Sequence, residues 1–497
     1  MSVMRTKSVE QAIQETEEPE HQLKKNLSGL DLTVFGVGVI IGTGIFVLTG
    51  EAAQESAGPA VAISFVLAAI ACGLAGLCYA EFASTVPVAG SAYTFSYAGI
   101  GELVAWIIGW DLILELLIGA ATVSVGWSQY LGVLLDTLGI SLPTAISNAE
   151  DGVFNLPAAL IVLALTAVLV TGVRISSRLN AVIVAIKLLV VLFVIVAGLF
   201  FVKASNYTPF IPPSKPSEGE SGLSQTLIQA VFGSGPAAFG VSGILAAAAL
   251  VFFAYIGFDV VATAAEETKK PQRDVPRGIL GSLVLCTILY VAVALVVVGM
   301  QKYSELDPEA PLATAFRDVG HPLFADFITV GALAGLTSVI MVLMLGQSRV
   351  AFAMARDHLL PPAIGKVHPK FGTPYRITII VGVIVAVLAG LLPLSALAEM
   401  VNIGTLFAFV LVSISTLILR RSRPDLDRAF RVRGLPVVAT LAVVACVVLM
   451  LFLEVATWLR FLVWMAVGFA IYFGYGRTHS RLAHGETEPS PAPARVD

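Results

Sequence analysis

The chain has 497 residues, 57% hydrophobic and 13% charged, with 30 Lys and Arg against 34 Asp and Glu. A net charge of −4 leaves no basic field for a phosphate backbone, which excludes nucleic acid as a partner, and the apolar excess excludes disorder except at the ends. The four cysteines (Cys72, Cys78, Cys286 and Cys446) fall inside apolar runs without metal-ligand spacing, so no disulfide framework, metal or cofactor is expected.

A hydrocarbon core of about 30 Å takes roughly 20 apolar residues per helical crossing. On that ruler the sequence predicts an all-α integral membrane fold of twelve transmembrane helices. They lie near 31–55, 58–84, 102–130, 157–173, 179–202, 243–265, 279–300, 325–348, 376–394, 398–419, 436–454 and 457–475. Strands of a membrane barrel would be short and alternating, and these runs are long and continuously apolar. With the N-terminus inside, 24 Lys and Arg face the cytoplasm, five face outward, and Lys187 lies within a span. That asymmetry places both termini in the cytoplasm of a cell-membrane protein. The expected organisation is a tail at 1–25, a transporter domain at 26–477 and a second tail at 478–497. A mildly amphipathic stretch is expected around 223–232 in the outer loop at 203–240, and a short interfacial helix within 349–372.

The first span carries Gly36, Gly38, Gly42 and Gly44 within nine residues. Each glycine costs about 1 kcal/mol in a helix interior. Either the helix breaks at Gly42-Thr43-Gly44, or the glycines serve close helix packing. The sixth span favours the break, because Phe252-Phe253-Ala254-Tyr255-Ile256-Gly257-Phe258-Asp259 repeats the interruption. Spans one and six correspond if the chain is a five-plus-five inverted repeat, about 30–203 and 240–420, followed by two extra helices at about 436–475. The half-helix after the first break offers N–H groups and a positive dipole end to a carboxylate. Its counterpart before the second break offers carbonyls to an ammonium. Together they fit a zwitterion, an α-amino acid. Phe252 or Phe253, with Tyr255, would close such a site from outside, unless ordinary packing occupies them.

The chain resembles the amino acid–polyamine–organocation superfamily, in its bacterial cationic amino acid transporter-like branch. The resemblance rests on GVGVIIGTGIFVLTG (36–50), AGPAVAISF (57–65), the long motif at 79–115, FFAYIGFD (252–259), EETKKPQRDVPRGI (266–279) and RDHLLPP (356–362). It implies a broken-helix inverted-repeat bundle working by alternating access. It also implies that amides around Gly42, Thr43 and Gly44 bind the substrate carboxylate, and that carbonyls of Ile40, Phe253, Ala254 and Ile256 bind the ammonium. His358 departs from the family, which usually has glycine there, and the outer loop is longer than usual.

Charges inside the membrane are functional hypotheses by default. Lys187 lies about 12 Å along the fifth helix. In the family, a lysine of this kind resembles a tethered substitute for the sodium of related transporters, able to release and regain a proton. Thr337 and Ser338 on span eight are its expected hydroxyl partners. Glu115 in span three either senses the substrate side chain or is a satisfied structural carboxyl; Asp259 is a second proton-coupling candidate or a backbone cap. Glu81 and Asp111 are read as structural. The expected function is proton-coupled amino acid import, with broad neutral substrates favoured and cationic ones as the alternative. Exchange, sodium symport and a transport-like nutrient sensor are the rivals. No nucleophile–base pair or phosphate loop points to an enzyme.

Overall fold

The first helix begins where the sequence supplies its cap. Ser28 and Asp31 form a capping box, with the Ser28 amide donating to Asp31 Oδ2 at 2.8 Å, and α1 runs Gly29–Ile40. The computed structural model describes residues 27–85, 93, 97, 101–149, 152–172, 177–216, 222–233, 237–426 and 428–483. The expected tail at 1–25 lies outside these residues, as do 484–497 of the second tail.

After α1 the chain resumes as α2 (Thr43–Phe46) and α3 (Leu48–Glu51), then α4 (Val61–Thr85) and α5 (Glu102–Thr137). Next come α6 (Leu156–Val170), α7 (Ser177–Gly198), α8 (Gly240–Val251), α9 (Pro271–Met300) and α10 (Pro322–Arg356). The last four are α11 (Tyr375–Leu391), α12 (Leu394–Ser422), α13 (Leu435–Leu451) and α14 (Val455–Ile471). Eight helical segments among the described residues are long and apolar enough to cross a membrane. Four shorter apolar helices, α1, α6, α11 and α13, accompany them. Side chains such as Ile70, Leu189, Ile288 and Val383 stay exposed on their outer faces. An exposed apolar belt of that extent needs lipid around it.

The interior is assembled from pairs of helices. The first helix, α1, packs on α9; α5 lies between α10 and α12; and α7 lies against α1 and α10. At the end of the bundle carrying Glu81, the loop after α12 is pinned to α4. The buried Glu81 carboxylate accepts from Arg420 Nε at 2.8 Å, from Arg420 Nη2 and from the Val432 amide at 2.7 Å. This supports the structural reading of Glu81. Breaking a buried pair by removing one partner costs about 3–5 kcal/mol. Glu81→Ala is therefore expected to lower the thermal midpoint of the detergent-solubilised protein clearly, and Glu81→Leu/Arg420→Met to recover part of the loss.

One loop differs from expectation. No interfacial α-helix forms within the described 349–372: α10 runs on to Arg356, and the loop carries one 3-10 turn at Pro362–Gly365. Helix 10 outruns its apolar stretch because its last turns stay partly buried through Ala351, Met354 and Ala355. His358 sits in the left-handed region at φ 61°, which accounts for the family's usual glycine. Where the amphipathic stretch is expected around 223–232, Thr226 and Gln229 cap a short helix at Leu227–Phe232, and nearby Lys215–Pro216 pairs with Ala237–Ala238. Near the boundary expected for the second tail, Ser480 donates to the buried Glu102 at 2.8 Å.

Candidate functional site

The first helix breaks at Ile41 and Gly42, one residue ahead of the centre of the glycine triplet. Ile41 is extended (φ −71°, ψ 100°), and Gly42 (φ −148°, ψ −149°) precedes α2. The sixth breaks at the expected place: α8 passes into a 3-10 turn at Phe252–Tyr255, Ile256 is extended, and Gly257 takes φ 111°. That positive φ is why the position needs glycine. The two breaks touch. A Cβ added to Gly44 would collide with the backbone of Ala254.

Around this crossing lies a small cavity lined by Ile40, Gly42, Thr43, Gly44, Phe253 and Ile256, all expected site residues. Glu115 of α5 joins them. Phe252 and Ala254 are buried beside the cavity without lining it: Phe252 packs on Phe409, with ring centroids 5.9 Å apart, and Ala254 makes the contact with Gly44. Tyr255 does not close the site. Its hydroxyl donates to the Phe65 carbonyl at 3.0 Å, and its ring joins those of Phe65 and Tyr290.

The backbone polarity at the breaks follows from the loss of helical partners. Gly42, Thr43 and Gly44 donate no backbone hydrogen bond among the described residues. Thr43 Oγ1 and Glu115 Oε1 are buried and also unpartnered there. Of the carbonyls, Ile40 accepts from the Tyr290 hydroxyl at 2.8 Å and Phe253 from the Ile256 amide at 3.2 Å. Each retains a second lone pair. Asn402 of α12 clamps the end of α8, its Nδ2 donating to Ala249 and Leu250 carbonyls at 2.8 and 3.0 Å.

Lys187 is fully buried, and its partners are not the expected ones. Its Nζ donates to the carbonyls of Gly38 at 2.6 Å and Ile41 at 3.2 Å, at the broken end of α1. Thr337 Oγ1 instead donates to Leu333 at 2.7 Å and accepts from Trp127 Nε1, while Ser338 donates to Gly335 at 2.8 Å. Hydroxyls in an apolar helix satisfy themselves on the preceding turn. Carbonyls at a helix end have no such donor and draw the cation. Span eight contributes Gly335 instead, whose missing side chain leaves room for the lysine stem. Asp259 is buried just past the second break, and its Oδ1 has no hydrogen-bond partner among the described residues.

Sequence reasoning missed several residues. Gly119 and Val123 of α5 and Val339 and Leu343 of α10 also line the cavity. Gly119 and Val123 follow Glu115 at helical spacing, the signal that would have found them. Asn402, a lone amide in an apolar run, was a second legible signal. Asp111, one turn before Glu115, is buried with both oxygens unpartnered among the described residues, which an ordinary structural carboxyl is not.

A sequence profile described as amino acid permease matches residues 27–473. The chain belongs to that family. The permease is 47% identical over 488 residues to the branched-chain amino acid permease of Bacillus subtilis strain 168, covering 97% of this chain and 99% of that one. It is 44% identical over 464 residues to the methylthioribose transporter of the same strain, covering 93% and 95%. A vacuolar cationic amino acid transporter 4 of Arabidopsis thaliana is 38% identical over 427 residues, covering 85% of the permease and 68% of the plant protein. These relatives carry the names of permeases and transporters, not of enzymes. The permease is thus a multi-pass membrane protein of amino acid transport.

Proposed function

We propose that this permease imports neutral aliphatic amino acids together with protons, by alternating access across the cell membrane. One observation carries the reading: Gly44 meets Ala254, so a helix end rich in free amides and one rich in carbonyls share a cavity. In this reading the amides of Gly42, Thr43 and Gly44 take the carboxylate. The carbonyls of Ala254 and Ile256, with the remaining lone pairs of Ile40 and Phe253, take the ammonium. Gly119, Val123, Val339 and Leu343 offer the side chain an apolar wall. The cavity, at about 20 Å³, holds no more than a water, so an amino acid enters only as the walls part.

The proposed frame has twelve crossings, with inverted repeats at about 30–203 and 240–420, two further helices at 436–475 and both termini inside. The paired breaks and the distribution of Lys and Arg support it. Lys187, bound to the carbonyls of α1, is proposed to carry the coupling proton, with Asp259 as a second acceptor.

Glu115 in the cavity wall favours a second reading, in which the carboxylate balances a basic side chain. Uptake into proteoliposomes under an imposed pH gradient separates them. Leucine, isoleucine and valine are expected to accumulate without sodium, and arginine, lysine and methylthioribose to compete weakly. Accumulation of arginine in preference to leucine would establish the second reading, and transport of methylthioribose alone would overturn both.

A further inference from the structure

Away from the transport cavity, α9 carries a groove of about 750 Å³ on its outward face, walled by Ala429 and Phe430 of the loop after α12. Its lining changes character along its length. Arg273 and Arg277 stand at one end, both exposed, and neither makes an ion pair or side-chain hydrogen bond among the described residues. Beyond them come Leu280, Val284 and Ile288, of which Val284 is 60% and Ile288 61% exposed. These positions recur at helical spacing on one face, and the stripe from 273 to 288 spans about 22 Å at 1.5 Å per residue.

We propose that this groove seats an anionic phospholipid, its headgroup phosphate on Arg273 and Arg277 and one acyl chain along Val284 and Ile288. On the orientation proposed above, the lipid belongs to the inner leaflet. Charge complementarity selects the occupant. Two free guanidiniums form bidentate bonds with phosphate oxygens, and the lining holds no carboxylate among the described residues. The apolar remainder has no use for a soluble anion, and from Leu280 to Ile288 it runs about 12 Å, most of the half-thickness of about 15 Å that one leaflet's hydrocarbon fills. Basic pockets between membrane helices on the cytoplasmic side bind acidic headgroups on the same physical grounds. The opposite face of α9 packs on α1, where Gly36 lies against Ser282 and Gly278 against Leu32. A lipid here therefore braces the helix that supports the broken one.

The test is native mass spectrometry of the detergent-solubilised full chain, offered phosphatidylglycerol and phosphatidylcholine in equal amounts. The wild type is expected to retain one phosphatidylglycerol, with a preference on the order of 30-fold if each arginine contributes as a basic residue near an anionic surface does. Arg273→Gln/Arg277→Gln is expected to erase the preference, and Ile288→Trp, which fills the apolar end without touching a charge, to expel the lipid. Retained preference in the double variant overturns the proposal. So does lipid retained in Ile288→Trp, which by itself decides the matter if the double variant does not fold. Displacement of the lipid by glycerol 3-phosphate at equal concentration would show a bare anion site and overturn it too. None of these readouts depends on orientation or transport, which proteoliposome uptake and labelling of cysteines introduced into the loops measure separately.

Discussion

Lys187→Met is expected to abolish accumulation driven by a pH gradient. With one proton carried per substrate, a gradient of one pH unit supports at most about tenfold accumulation. The variant should do no better than equilibrate. The physical ground is the position of Nζ, 2.6 Å from the Gly38 carbonyl and 3.2 Å from that of Ile41. Those carbonyls end a helix whose ladder has just been broken, so the ammonium serves as both hydrogen-bond donor and dipole partner. In the proposed cycle, loss of the proton weakens that grip on α1, the half-helix adjoining the site, and so ties protonation to the parting of the cavity walls. Methionine keeps the apolar stem against Gly335 and removes only the charge and the donors. Gradient-driven uptake, measured beside counterflow in the same proteoliposomes, checks the assignment. Wild-type accumulation by Lys187→Met or Lys187→Ala would show that the coupling proton resides elsewhere.

The second large effect is expected at Gly44. Even alanine there would place its Cβ against the backbone of Ala254 and force the two breaks apart. Loss of a charge-assisted hydrogen bond costs about 1.5–3 kcal/mol. Parting the amide end from the carbonyl end should therefore weaken substrate binding by roughly a hundredfold. Gly42→Ala is the informative contrast. A Cβ at Gly42 meets Val339 Cγ1 at 3.6 Å, an ordinary contact, and its φ of −148° is not left-handed. It is expected to lose several-fold at most. Equilibrium binding of labelled leucine to the solubilised protein compares the two, and similar affinities for both variants would remove the crossing from the mechanism.

Much of this site was legible because membrane chemistry writes it into one dimension. A glycine cluster at mid-span, answered by a mid-span glycine five helices later, marks interrupted helices, since lipid tolerates irregular backbone only where protein buries it. The breaks at Ile41–Gly42 and Ile256–Gly257 lie on those signals. Lys187 and Glu115 stood out because a charge in an apolar run is costly. What escaped was partnership. Thr337 and Ser338 looked suited to the lysine by residue type, yet their own helix satisfies both hydroxyls. Tyr255 looked placed to close the site, yet its hydroxyl is held by Phe65.

The sequence by itself determined the solvent of this protein, the helical runs, the family and the two places where a helix must fail. Each follows from local composition and from what hydrocarbon permits. Only the tertiary structure decided that Gly44 abuts Ala254, that Lys187 caps the end of α1, and that Asn402 steadies α8 from another helix. Such pairings join residues well over a hundred positions apart, and hydropathy carries no record of the direction in which a buried donor points.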